Sequence, residues 1–301
     1  MNQKMILTLL GLACITNCQA ESEQIPKKRV LIGSPIRQKP AILKEFLQSL
    51  LELNTNSFEA DYLFVDDNND PESSLMLNSF GLKLQEHCII MKYANSAQDS
   101  YVCNERTHYW HEKIIWKVAH FKNCMIDYAV EHSYDYLFLI DSDIVLNPKT
   151  IDRLIETKKD IVANIFWTQW QPENCKLPQV WLMDEYKFYI SNTNEQLSPE
   201  EINARTIAFL QPLLSPGTYE VGGLGACTLL SQKALRAGVS FRKIKNLTFW
   251  GEDRHFCIRA AALGIDLFVD TFYPAYHIYR ETDLSGVPLF KTNCANDIYQ
   301  I

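Results

Sequence analysis

The chain has 301 residues, with 29 Lys and Arg against 36 Asp and Glu and an apolar fraction of 47%. That length suits one large α/β domain or two small ones, and the apolar fraction is ample for a core. The formal charge of −7, with both signs dispersed and no basic block, argues against nucleic acid as a partner.

The N-terminus reads MNQKMILTLLGLACITNCQA, with Lys4 ahead of an apolar run from Met5 to about Cys18 and the small residue Ala20 at its end. Charged start, apolar run and small residue occur in the order of a secretory signal peptide, and the run is short for a bilayer span. Residues 1–20 are therefore expected to be a signal peptide or a short signal anchor, the latter giving membrane association, with residues 21–301 as a single domain. Export or anchoring is expected, in the secretory pathway, the periplasm or outside the cell. Loss of residues 1–20 would remove Cys14 and Cys18 and leave Cys88, Cys103, Cys124, Cys175, Cys227, Cys257 and Cys294. This odd, scattered set has no CxxC spacing and fits neither a zinc knuckle nor a disulfide framework, so most are read as apolar fillers, with one bridged pair left open.

From Lys28 onward, short β-rich runs alternate with helical stretches. Residues Arg29 to Gly33 predict a strand, and Ala41 to Leu53 a helix behind Pro40. A second strand, Asp61 to Val65, ends in Asp66-Asp67-Asn68-Asn69-Asp70. His87 to Met91 is a third strand and Glu112 to Glu131 a long helix. Tyr136 to Ile140 is a fourth strand, running into Asp141-Ser142-Asp143. A helix follows Pro148, then a strand over Ile161 to Phe166. This alternation predicts crossover helices and a mostly parallel sheet, a Rossmann-like α/β fold. Ligands of such sheets gather beyond the carboxyl ends of the strands, where both acidic groups lie.

The second half is less regular. Trp167 to Trp181 is aromatic and loop-like, and Ser198 to Leu214 predicts a helix opened by Ser-Pro-Glu-Glu. Tyr219 to Leu230 is Gly-rich and then strand-like, and Gly251-Glu252-Asp253 opens a helix through Leu263. Asp266 to Phe272 is the last strand, ahead of Pro274 to Arg280.

Asp141 and Asp143 interrupt an apolar run, and buried carboxylates need a counter-charge or a metal. Alternate residues of a strand share a face, so the two can converge on one hard cation, Mn²⁺ or Mg²⁺, with substrate phosphates completing its shell. Taken alone, the pair is equally an Asp turn at a strand end. Glycines 222, 223 and 225 permit close backbone approach and positive φ, or mark a plain bulge. The acids Glu252 and Asp253 at a helix start satisfy free amides and the dipole, or aim a general base into a cleft. His277 is a structural imidazole or a third metal ligand.

In this order the pieces resemble the GT-A-fold glycosyltransferases, particularly the family-2-like group, over roughly residues 29 to 280. The resemblance implies that Pro35, Arg37, Asp66, Asp67 and Asn123 serve the nucleotide-sugar donor together with Asp141, Ser142, Gly222 and Gly223. It implies Asp141, Asp143 and His277 as metal ligands, and Trp250 and Gly251 on the acceptor side. Asp253 takes the place of the catalytic base, with Glu252 beside it for capping or acceptor contacts. The Gln-Arg-Arg-Trp-type motif of processive synthases is absent, which implies non-processive transfer. The expected reaction is metal-dependent, inverting transfer of a sugar from a nucleotide-sugar donor to a glycan, lipid or protein acceptor. Two other functions compete: an exported carbohydrate-binding or host-interaction protein that keeps the fold without turnover, and a nucleotidyltransferase, for which Gly33-Ser-Pro-Ile-Arg-Gln-Lys is a poor first loop.

Overall fold

The computed structural model describes residues 27–93, 102–103, 108–109, 111–248 and 251–298. Residues 1–20, expected to be a signal peptide or short signal anchor, and Trp250 lie outside them. Strand β1 (Lys28–Ile36) is buried from Val30 to Ser34, as suits a strand covered on both faces. Helix α1 (Pro40–Leu51) opens on a proline, whose missing N–H costs nothing in a first turn. β2 (Phe58–Asp66) lies parallel to β1, with Asp66 opposite Ile36. α2 (Pro71–Leu84) starts under Asp70, whose carboxylate accepts the Glu72 N–H at 2.8 Å. β3 (Cys88–Lys92) closes this edge of the sheet. A short antiparallel pair, β4 (Val102–Cys103) and β5 (His108–Tyr109), precedes the 20-residue α3 (Glu112–Glu131).

β6 (Tyr136–Leu139) stops at the Asp-Ser-Asp turn, beyond which come β7 (Ile144–Val145), α4 (Thr150–Glu156) and β8 (Ile161–Thr168). The aromatic stretch predicted as loop holds two short strands, β9 (Leu177–Pro178) and β10 (Val180–Trp181). Helix α5 (Pro199–Leu210) is closed at its start by a capping box between Ser198 and Glu201. It ends short of the predicted Leu214, because Pro212 opens a separate 3-10 turn. The Gly-rich stretch supplies β11 (Thr218–Val221), β12 (Gly223–Leu224) and β13 (Thr228–Ser231), followed by α6 (Gln232–Ala237). Then come α7 (Glu252–Ala262), β14 (Leu267–His277) and α8 (Val287–Ala295). The last strand is longer than predicted. It carries Pro274 where its pairing with β8 shifts register, between Asp270 and Ala275, a place where a missing N–H is tolerated.

The main sheet has the order β11-β14-β8-β13-β6-β1-β2-β3. β13 enters antiparallel between β6 and β8, and β11 is antiparallel at the far edge, so the sheet is mixed with a mainly parallel body. This is the Rossmann-like GT-A architecture. Alternate residues divide the core by face: Leu31, Leu63 and Leu137 pack under α3, α6 and α7, and Val30, Ile32, Phe64 and Phe138 under α1, α2 and α4. Among the described residues no helix is long and apolar enough to cross a membrane. Cys88, Cys124, Cys175, Cys227, Cys257 and Cys294 are free thiols, Cys227 and Cys257 fully inside the core.

Candidate active site

A cavity of about 780 Å³ opens beyond the carboxyl ends of β1, β2 and β6. Pro35, Arg37, Asp67, Asp141, Ser142, Asp143, Gly251, Glu252, Asp253 and His277 all line it. At one end Asp67 takes an ion pair from Lys117 at 2.6 Å and faces Arg37 at 3.7 Å. Trp170, Tyr186, Phe188 and Tyr279 also line the cavity, with Trp170 edge-on to Tyr279.

Distant pairing assembles the Asp-Ser-Asp end of the cavity. β7 runs antiparallel to the tip of β14, setting His277 opposite Ile144, and the Ile278 N–H donates to the Asp143 carbonyl at 2.9 Å. His277 Nε2 thereby stands 3.6 Å from Asp143 Oδ1. Its Nδ1 is 2.7 Å from Thr168 Oγ1, and the ring packs edge-on to Phe166, so the imidazole is fixed in orientation. A carboxylate and an oriented imidazole this close suit a divalent cation of the Mn²⁺ or Mg²⁺ kind. Among the described residues no three His, Cys, Asp or Glu side chains form a ready-made metal cluster.

Asp253 and Glu252 stand at the first turn of α7, after Gly251 with φ +122°, a backbone shape that favours glycine. Behind them lies buried Lys122 of α3, its Nζ 2.9 Å from Glu252 Oε1 and 3.1 Å from Asp253 Oδ1. Burial pushes Asp253 up to about 7; Lys122 pulls it down, while Glu252 and Asp141 push it further up. Asp141 is raised in the same way, first by burial, against the pull of Lys122 and with the push of Asp143.

Four of the residues expected at the donor do not line the cavity. Asp66 is buried beside it and accepts from Asn68 N and Nδ2 at 3.0 and 2.8 Å and from Ser74 Oγ at 3.2 Å. Burial would push its pKa up, but these bonds and the charge of Lys92 hold it below the usual carboxylate range. Asp66 therefore shapes the turn that presents Asp67. The Oδ1 atom of Asn123 accepts the Phe241 N–H at 2.8 Å, tying α3 to that segment. Gly222 and Gly223 have no positive φ; they admit neighbours, since a Cβ would meet Leu182 O at 2.0 Å and the Trp181 ring at 1.9 Å. The glycine that reaches the cavity is Gly225, where a Cβ would lie 3.3 Å from Asp253 Oδ2.

Lys122, Lys117 and Thr168 were not singled out from the sequence, whereas Gly225 was, as one of three glycines permitting close backbone approach. A signal existed for Lys122: it continues the buried stripe of Ile115, Ala119 and Ile126 at helical spacing, where a charge demands a partner.

Fold and cavity together define a GT-A-type glycosyltransferase. Residues 27–190, more than half of the chain, match glycosyltransferase family 25, N-terminal domain, and the protein belongs to this family. It is a sugar transferase, acting between a sugar donor and an acceptor. The matched region contains Arg37, Asp67 and the Asp-Ser-Asp turn, whereas Glu252, Asp253 and His277 lie beyond it. A search among curated proteins finds no match to the chain.

Proposed function

We propose that the enzyme transfers one sugar at a time from a nucleotide-sugar donor to an acceptor hydroxyl, with inversion at the anomeric carbon. The observation that carries this reading is the approach of His277 to Asp143 beside Asp141, on the wall of the cavity that also holds Asp253. Asp143 and His277, with Asp141, would hold Mn²⁺ or Mg²⁺, which when bound neutralises charge on the diphosphate leaving group. Pro35, Arg37, Asp67 and Ser142 bind and orient the nucleotide part, with Asp67 kept in place by Lys117. Asp253 takes the acceptor hydroxyl proton while the acceptor oxygen bonds to the anomeric carbon. The bond from that carbon to phosphate breaks, and the nucleoside diphosphate leaves with the electron pair.

Incubation with a panel of nucleotide sugars and acceptors, with Mn²⁺, Mg²⁺ or a chelator, tests the reading through diphosphate release and NMR of the product anomer. Release only with metal, and a product of inverted configuration carrying a single added sugar, is expected. Asp143→Ala should lose metal-dependent donor binding in calorimetry. Donor affinity that is the same with and without metal overturns the metal assignment, and a product of retained configuration overturns inversion.

A further inference from the structure

Lys122 is a buried charge in contact with the site that the transfer chemistry above leaves unused. It lies on the core face of α3, with its ammonium over the Phe241 ring and between Glu252 and Asp253. Stability alone gives little reason for it, because apolar replacement of a buried ion cluster is often neutral or stabilising. Methionine would continue the apolar stripe of Ile115, Ala119 and Ile126 equally well.

Geometry gives a reason. The ammonium holds one oxygen of Asp253, Oδ1, while Oδ2 points toward Gly225 on the cavity wall. We infer that Lys122 is a positioning residue for transfer, clamping Asp253 Oδ1 and Glu252 Oε1 so that Oδ2 of Asp253 is the oxygen presented to the acceptor hydroxyl. The inference rests on Asp253 being the base. Lys122 stands behind the cavity wall and does not itself line the cavity, so its influence passes through the carboxylates it holds.

The clamp also balances charge. Asp253 is faced by Glu252 of its own helix, Lys122 of α3, Asp141 beyond β6 and Tyr186 of the turn after β10, with the Cys257 thiol one helical turn on. Lys122 is the cation in contact with the Asp253 carboxylate in this group. Without it three acids would share a buried region, and the base would hold its proton to higher pH.

The test compares Lys122→Met, Lys122→Arg, the charge-matched double variant Lys122→Met/Glu252→Gln and Asp253→Asn. Donor binding is measured by calorimetry without acceptor, and kcat/KM for transfer across a pH series. Lys122→Met should keep donor affinity within about twofold, lose roughly 10²–10³-fold in kcat/KM at neutral pH, and move the acidic limb up by about one unit or more. Lys122→Arg, which keeps the charge, should recover part of the rate. Should Lys122→Met fail to fold, the double variant removes one charge of each sign and should still lose rate while keeping donor affinity. A folded Lys122→Met or double variant with wild-type transfer and an unmoved limb overturns the inference, as does a loss of donor affinity equal to the loss of rate. Asp253→Asn separates the two levels: if it transfers normally, the base assignment and the clamp fall together. If it is inactive while the Lys122 variants behave as wild type, the clamp alone falls.

Discussion

At the scale of single residues, the proposed chemistry turns on a carboxylate whose environment opposes its charge. Burial, with Glu252 and Asp141 nearby, pushes Asp253 up to about 7 in spite of Lys122. A base works ionised, so the sign is fixed: below that value the carboxyl is protonated and transfer is suppressed. The kcat/KM for transfer should therefore rise about tenfold per pH unit on the acidic side and level off above about neutral pH. A profile that is flat or falls as pH rises through this range contradicts the role of Asp253. The position of Asp253 at a helix start was legible in the sequence from the Gly-Glu-Asp run. Its tuning was not, because Lys122 reaches it from a helix far away in the chain, and single-chain periodicity reports only that a lysine sits on a buried stripe.

At the scale of elements, the Asp-Ser-Asp turn and its imidazole illustrate what local pattern contains. The end of β6 is visible in an apolar run that stops at Asp141. The contact between Asp143 and His277 follows from antiparallel pairing of the two-residue β7 with the tip of β14, too short an element to announce itself. Likewise the Gly-rich stretch reads as a ligand loop, yet its glycines have two different tasks. Gly223 lets the Trp181 ring lie against the backbone of β12, whereas Gly225 leaves room beside Asp253 Oδ2. The tasks predict opposite phenotypes. Gly223→Ala drives a Cβ into a buried indole held between strands and should cost at least about 1–3 kcal/mol of stability. Gly225→Ala crowds only the Asp253 carboxylate oxygen, at 3.3 Å, and meets Gln179 at ordinary contact distances of 3.6 and 3.9 Å, so it should melt near wild type but lose transfer rate by displacing Asp253. Chemical denaturation and steady-state kinetics on the two variants check this, and equal stability with equal rates would remove the distinction.

At the scale of the whole molecule, the cavity draws its walls from both halves of the chain: Arg37 and Asp67 from just past β1 and β2, His277 and Asp253 from β14 and α7. The same sheet carries both, since β14 pairs with β8 and β1 with β6, and β13 joins the two groups from between β6 and β8. A ligand that spans the cavity therefore holds together parts of the chain that separate on unfolding, and the whole domain should respond as one unit. A nucleoside diphosphate with Mn²⁺ at about 100 times its dissociation constant adds about 2.7 kcal/mol to a state that binds it. For a chain of this size that corresponds to roughly 4–5 °C in Tm. Scanning calorimetry should show one cooperative transition that moves by this amount with nucleotide and metal together, and far less with either alone. The shift should vanish in Asp143→Ala, where the carboxylate facing His277 is gone but the sheet is intact. Two separate transitions, with only the lower one moved by ligand, would instead mean that the two halves fold independently and that the cavity belongs to one of them.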